Sequence, residues 1–154
     1  MHFEGIYNPR SSVQPNSNQT APSETKIQGR NPQRKTQILS MTGWPALFPG
    51  SLNLRVDSAV LDELEQHPVK WEESGSEVIY PAGWEHIPIL RQAYWYYSAT
   101  ASRGEKSEPV LVRRPKRLGP HVVELFAPIS LIEAFNLAPG ETVHVELCKS
   151  EPGA

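Results

Sequence analysis

The chain has 154 residues and a mass of 17.2 kDa, which fits one domain. Its net charge of −2 gives no general reason to expect nucleic acid or an acidic membrane surface as a partner. The single cysteine, Cys148, excludes a disulfide framework or a cysteine-based zinc site within the chain. No apolar segment approaches the roughly 20 residues that span a bilayer. The first residues lack the pattern of a secretory signal, so we expect a cytoplasmic protein without a membrane partner.

The N-terminal part of the chain is predicted to contain little regular structure. Residues 1–7 can form a first strand, because Phe3, Ile6 and Tyr7 are available to pack. From residue 8 to about residue 37 the composition shifts to Pro, Ser, Asn, Gln and Thr, which cannot offset the entropy of ordering by apolar burial. We expect a mobile insertion or linker over residues 8–37, a folded domain over residues 38–149 and a tail over residues 150–154.

Residues 48–56 carry the most informative pattern in the chain. Pro49 and Gly50 are typical of a tight turn, and the residues that follow alternate with period two, as in a half-buried strand. The positions predicted to point into a core are Leu52, Leu54 and Val56. The positions on the open face are Ser51, Asn53 and Arg55. Hard oxygen ligands beside a cation suit a magnesium-bound polyphosphate, and the alternative is the polar face of an ordinary strand.

Aromatic side chains occur in two further stretches. Trp44 and Phe48 are large enough to form a wall for a flat ring, although core packing is the commoner role of such side chains. Residues 90–99 have the composition of a central strand, in which Tyr94 and Tyr96 share one face. Aromatic side chains on a strand either line a barrel or stack on a base. The sequence leaves both alternatives open.

A run of positive charge follows residue 112. It consists of Arg113, Arg114, Lys116 and Arg117 around Pro115. These cations repel one another unless they are solvated or neutralised by an anion, so the run is either a solvated loop or a phosphate-facing one. The next strand, over residues 122–127, places Glu124 among apolar neighbours. A carboxylate there is either paired with a cation or acts as a base.

Two short helices are predicted in the C-terminal two thirds. Asp57 and Ser58 can cap the first helix, which ends before Pro68. Ser130 and Glu133 form a capping box that opens the second. With about six or seven short strands, these elements predict a mainly β fold and a small barrel rather than a doubly wound sheet.

Several of these segments together resemble a known family. Residues 48–54 (FPGSLNL) resemble the P-G-T-L-N motif of the archaeal-type CTP-dependent riboflavin kinases, and Gly43-Trp44 is similar to the glycine–aromatic pair before that motif. Residues 114–117 (RPKR) are similar to the family's Pro-x-Arg-Thr segment. Residues 123–143 resemble its closing block. The match covers roughly residues 41–57 and 110–147.

The resemblance implies a six-stranded cradle-loop barrel with one or two short helices. It also implies transfer of the terminal phosphoryl group of CTP to riboflavin, giving FMN, with a divalent metal such as Mg²⁺. Ser51 and Asn53 occupy the positions of the motif's metal-binding threonine and asparagine. We expect Glu124 to activate the accepting hydroxyl. The residues expected to contact the nucleotide and its phosphates are Gly50, Arg55, Arg114, Lys116 and Arg117. The residues expected to contact the flavin are Trp44, Phe48 and Tyr96.

Two departures separate the chain from the family pattern. Residues 8–12 contain no glycine where the family has a glycine-rich loop, and Leu118 replaces a threonine. The expected phosphate donor is therefore CTP or another nucleoside triphosphate. Two alternatives stay open: a barrel that binds flavin or nucleotide without turnover, and an interaction or DNA-binding barrel. No nucleic acid is expected as a partner, and the expected state is a monomer or weak dimer.

Overall fold

The computed structural model describes residues 1–8, 33–73, 76–77, 90–91, 93–115 and 121–148. The strands in these ranges are β1 (His2–Tyr7), β2 (Leu52–Arg55), β3 (Trp71–Glu73), β4 (Ser76–Glu77), β5 (Leu90–Arg91), β6 (Tyr94–Arg103), β7 (Lys106–Pro115), β8 (Val122–Phe126) and β9 (Thr142–Leu147). The helices are α1 (Arg34–Thr42), α2 (Ser58–Leu64) and α3 (Leu131–Phe135). Within the described ranges, no helix combines the length and the apolar character needed to cross a bilayer.

Six antiparallel strands close into a barrel in the order β6-β7-β8-β2-β1-β9, and β9 pairs back with β6. A seventh strand, β3, extends the sheet beside the first residues of β6, while β4 and β5 pair with each other. This closure confirms the predicted mainly β fold and its small six-stranded barrel with short helices. The strand predicted at the N-terminus is β1, which lies between β2 and β9.

The barrel interior follows the period-two pattern of the sequence. Leu52, Leu54 and Val56 are all buried, and they pack with the alternate residues of the other strands. Gly5 of β1 lies against Leu54, so a Cβ atom at position 5 would stand only 2.6 Å from the Leu54 Cβ. Glycine is therefore needed there to let the first strand close on β2.

The two predicted helices are α2 and α3. Asp57 is the N-cap residue of α2. At the start of α3, the Ser130 side chain accepts a hydrogen bond of 3.3 Å from the Glu133 backbone N–H. The β6–β7 hairpin turns at Gly104, whose φ of 61° favours glycine. Both helices therefore begin where the sequence predicts them, with a capping hydrogen bond to the Ser130 side chain and none to that of Asp57.

Helix α1 is an element that the sequence analysis did not predict. It ends at Gly43, which has a φ of 75°. Its Ile38 side chain is fully buried against Tyr96 and Leu111, on the outer surface of the barrel. Residues 33–37 of the expected linker belong to this helical region. The rest of that expectation, over residues 9–32, lies outside the described residues, as does the expected tail over residues 150–154.

Candidate functional site

Five side chains lie next to one another across the outside of the barrel, one from each of the adjacent strands β3, β6, β7, β8 and β2. They are Trp71, Tyr96, Arg113, Glu124 and Asn53, and we call them the outer row. Residues that are directly opposite each other in antiparallel strands point to the same face. The register therefore gathers an aromatic pair, a cation, a carboxylate and an amide on one surface.

Glu124 is the centre of the polar half of this row. Its Oε2 atom accepts a hydrogen bond of 2.9 Å from the Ser51 hydroxyl and one of 2.5 Å from Nη2 of Arg113. The side chains of Arg113 and Glu124 are 8% and 18% exposed, so this ion pair is largely shielded from water. Ser51 lies just before β2, and Asn53 is opposite Glu124 in the β2–β8 ladder. The fold thus brings the two predicted metal-binding residues to the predicted base.

Arg113 is held in place by aromatic rings. The central carbon of its guanidinium group lies 4.2 Å from the Tyr94 ring centroid and 4.9 Å from that of Phe126, a favourable cation–π arrangement. Burial alone would lower the pKa of Arg113, but the Glu124 carboxylate and the Tyr96 and Tyr94 hydroxyls raise it, and the net direction is upward. Arg113 therefore remains a cation beside Glu124.

The sequence analysis gave Arg113 no role of its own. A usable signal was present, because β7 continues through Pro115 and successive side chains of a strand point to opposite faces. Leu111 packs on the outer surface, so Arg113, two positions later, points the same way. The next residue must then point inward.

Arg114 does point to the opposite side of β7. It is 2% exposed, and Nη2 lies 3.2 Å from Oε1 of Glu65, just past α2. Its guanidinium carbon also lies 5.4 Å from the Trp95 ring centroid. Arg113 and Arg114 therefore do not form one surface for phosphate. Lys116 and Arg117, the other predicted phosphate contacts in this run, lie outside the described residues.

Tyr96, a predicted flavin contact, is fully buried. Its hydroxyl donates a hydrogen bond of 2.6 Å to Glu73, and its ring stacks on Trp71 with 4.6 Å between centroids. Burial raises the pKa of Tyr96, Arg113 lowers it and the Glu73 hydrogen bond raises it, so the net direction is upward. Glu73 also accepts two hydrogen bonds from Nε of Arg34 and one from its Nη2, which fixes α1 over this part of the barrel.

The remaining predicted residues divide between packing and open surface. Trp44 is half-buried and packs on the cluster around Tyr96 and Ile38. Phe48 and Gly50 are exposed and line a groove that also includes Ser51. Arg55 is exposed at the next outward position of β2 after Asn53. Among the predicted site residues, Phe48, Gly50 and Glu124 lie next to Ser51. Tyr96 and Arg114, in contrast, are buried.

The fold and this group of residues define the class of the protein as a small closed antiparallel β-barrel with a polar site on its outer face. No protein-family model matches the chain, and no curated protein matches it. The resemblance to the riboflavin kinases therefore depends on the motif residues themselves and on where the fold places them.

Proposed function

We propose that this protein is a riboflavin kinase-like phosphotransferase of the cytoplasm that transfers the terminal phosphoryl group of CTP, or of another nucleoside triphosphate, to riboflavin to give FMN. The observation that carries the proposal is the placement of Ser51 and Asn53 on one face beside Glu124, with a Ser51–Glu124 hydrogen bond of 2.9 Å. The period-two pattern of β2 had predicted the shared face, and the barrel supplies the carboxylate from another strand.

The donor atoms at this site suit a magnesium–nucleotide complex. A hydroxyl, an amide and a carboxylate are hard oxygen ligands, and Mg²⁺ is usually held by one or two such protein groups together with substrate phosphates and water. No group of three or more His, Cys, Asp or Glu side chains in the described ranges is arranged to hold a metal. Ser51 and Asn53 would hold Mg²⁺ jointly with the nucleotide, and the ion would neutralise phosphate charge.

The residues around Glu124 suit proton removal from the hydroxyl that accepts the phosphoryl group. In the proposed step, the terminal ribityl hydroxyl oxygen forms a bond to the terminal phosphorus, the bond from that phosphorus to the bridging oxygen breaks, and the nucleoside diphosphate leaves. The hydroxyl proton passes to the Glu124 carboxylate. Phosphoryl transfer depends mainly on positioning and on neutralising charge. The ion pair with Arg113, at 2.5 Å, contributes to positioning because it holds the Glu124 carboxylate in a fixed orientation.

Of the two cations proposed for this reaction, Arg55 was expected from the sequence and Arg113 was not. Arg113 is adjacent to Glu124 and carries its charge on the outer face, whereas Arg114 is paired with Glu65 on the other side of the strand. Arg55 is exposed on the same face as Asn53, so its guanidinium group is free to bind phosphate oxygens from solvent. We therefore assign the phosphate-facing role to Arg55 and the positioning role to Arg113.

The proposal is tested by incubating the purified protein with riboflavin, magnesium and each of CTP, ATP, GTP and UTP, and separating the flavins by chromatography. We expect FMN with at least one triphosphate, and its loss when magnesium is chelated. Absence of FMN with all four triphosphates would contradict the proposal. Quenching of riboflavin fluorescence without FMN formation would instead indicate a barrel that binds flavin without turnover.

A further inference from the structure

Two arginines, Arg34 of α1 and Arg113 of β7, lie close together beneath the helix. Their guanidinium carbons are 5.7 Å and 4.2 Å from the centroid of the same ring, that of Tyr94. Burial lowers the pKa of Arg34, hydrogen bonding to Glu73 raises it and the charge of Arg113 lowers it, and the net direction is upward. Both arginines therefore remain charged, and their mutual repulsion is offset only where carboxylates are close to them.

Each arginine is bonded to a different carboxylate. Glu73 accepts three hydrogen bonds from Arg34, whereas Glu124 accepts one of 2.5 Å from Nη2 of Arg113. The two carboxylates differ in burial, because the side chain of Glu73 is 3% exposed and that of Glu124 is 18% exposed. Loss of the cation costs more free energy at a buried carboxylate than at one that water can reach. Glu73 therefore has the stronger requirement for a guanidinium group.

Arg113 also has an unused donor close to Glu73. Its Nε atom is buried and has no hydrogen-bond partner among the described residues, although the residue is only 7% exposed. A buried N–H without a partner is costly, so this atom would gain from a second acceptor. Tyr96 is opposite Arg113 in the β6–β7 ladder, and its hydroxyl donates a hydrogen bond of 2.6 Å to Glu73. Glu73 is therefore the neighbouring carboxylate to which Arg113 could turn.

We propose that Arg34, by occupying Glu73, acts as a positioning residue of the candidate site. Arg113 is thereby left to pair with Glu124. Without the Arg34 guanidinium, Glu73 loses three hydrogen bonds, and Arg113 turns toward this more deeply buried carboxylate. Glu124 then keeps the Ser51 hydroxyl but loses the cation that orients it. The exchange of partners follows from burial and charge, whereas its effect on turnover rests on the proposed function.

The first test compares Arg34→Met with the double variant Arg34→Met/Glu73→Gln. In the single variant a charged Glu73 attracts Arg113, and we expect the turnover number for FMN formation to fall by about 10–100-fold with little change in the riboflavin KM. The double variant removes that charge, so Arg113 should return to Glu124 and most of the turnover should be recovered. Lys35→Met is the matched control, because Lys35 is an exposed cation of the same helix, and it should behave like the wild type.

The second test does not depend on turnover. NMR of the arginine side chains detects the Nε–H group of Arg113, whose resonance is identified by its absence in Arg113→Lys. We expect this resonance to move downfield in Arg34→Met, because the Nε–H group gains Glu73 as an acceptor. It should return to the wild-type position in the double variant and should not move in Lys35→Met.

The outcomes separate this inference from the proposed function. An unchanged Arg113 resonance in Arg34→Met would overturn the inference, even if the wild-type protein makes FMN. A double variant with as little turnover as the single variant would also overturn it, because a helix needed only for folding gives that result. If the wild-type protein makes no FMN while the resonance moves and returns as expected, the inference holds and the proposed function is wrong. Should Arg34→Met fail to fold, Arg34→Gln is measured instead, since its amide is neutral and can still donate to Glu73.

Discussion

Ser51 and Glu124 are 73 positions apart in the sequence, yet a hydrogen bond of 2.9 Å joins the serine hydroxyl to the carboxylate. The barrel produces this contact because β2 and β8 are adjacent and antiparallel, with Leu52 opposite Leu125 and Asn53 opposite Glu124. Apolar residues turned inward on both strands fix that register, since a slip by one residue would move them to the outside. The position of the polar site is therefore determined by the packing of the core.

Replacing Glu124 by glutamine tests its proposed role as the proton acceptor. In Glu124→Gln the amide oxygen can still accept the Ser51 hydrogen bond, but the side chain no longer takes up a proton. We expect the turnover number to fall by about 10²–10⁴-fold, the range of general base catalysis, while the riboflavin affinity changes little. Steady-state kinetics and fluorescence titration give the two quantities. Glu146→Gln, at an exposed position of β9, is the control, and an equal turnover number in both variants would remove Glu124 from the mechanism.

The Arg113–Glu124 pair makes a separate prediction about stability. Arg113→Met keeps much of the side-chain volume but leaves the Glu124 carboxylate, only 18% exposed, without its cation. Breaking a buried pair in this way costs about 3 kcal/mol of the free energy of unfolding, measured by urea denaturation. Arg55→Met removes an exposed arginine from the same face and should cost less than about 0.5 kcal/mol. Equal unfolding free energies for the two variants would show that the pair does not stabilise the fold.

Tyr96→Phe distinguishes packing from ligand binding. The substitution removes the hydroxyl that donates a hydrogen bond of 2.6 Å to the buried Glu73 carboxylate. We expect this loss to cost about 1–2 kcal/mol of the free energy of unfolding. The riboflavin affinity should not change, because the ring of Tyr96 has no exposed surface. A marked loss of affinity with unchanged stability would restore the expectation that Tyr96 contacts the flavin.

Two buried tyrosines should make the fold sensitive to high pH. Burial raises the pKa of Tyr97 to about 12, although Arg114 lowers it in part, and the pKa of Tyr96 is also raised. Because the folded state holds these protons more tightly than the unfolded chain does, their stabilising contribution is full below about pH 10 and is lost as the pH rises toward the folded-state values. Ultraviolet titration of the phenolates should show that Tyr96 and Tyr97, among the tyrosines the structure describes, titrate late. The fall in unfolding free energy above pH 10 should be smaller in Tyr97→Phe, and a single titration of all tyrosines near pH 10 would contradict this.

Much of the barrel was predictable from sequence, because its signals are local. The alternation over residues 52–56 and the capping box at Ser130 each involve neighbours in the chain, and the structure contains both features. The run of positive charge is less informative, because charge alone does not say which way each side chain points. The strand geometry sends Arg113 and Arg114 to opposite faces.

The surface beneath α1 could not be predicted in the same way. Ile38 is buried because Tyr96 and Leu111 point outward from the barrel and need a cover, which is a property of three separate elements. The Arg34–Glu73 contact spans 39 positions, and no periodicity in either segment indicates it. The sequence therefore predicts which side chains a strand turns outward, but not which of them another segment will cover.

The most direct test of the account is calorimetric titration of the protein with magnesium and a nucleoside triphosphate, CTP first. We predict binding by the wild-type protein and at least about tenfold weaker binding in Ser51→Ala and Asn53→Ala, since each loses an oxygen ligand of the metal–nucleotide complex. Ser107→Ala, at an exposed position of β7, should bind like the wild type. Both site variants binding magnesium–nucleotide as tightly as the wild type would contradict the central claim.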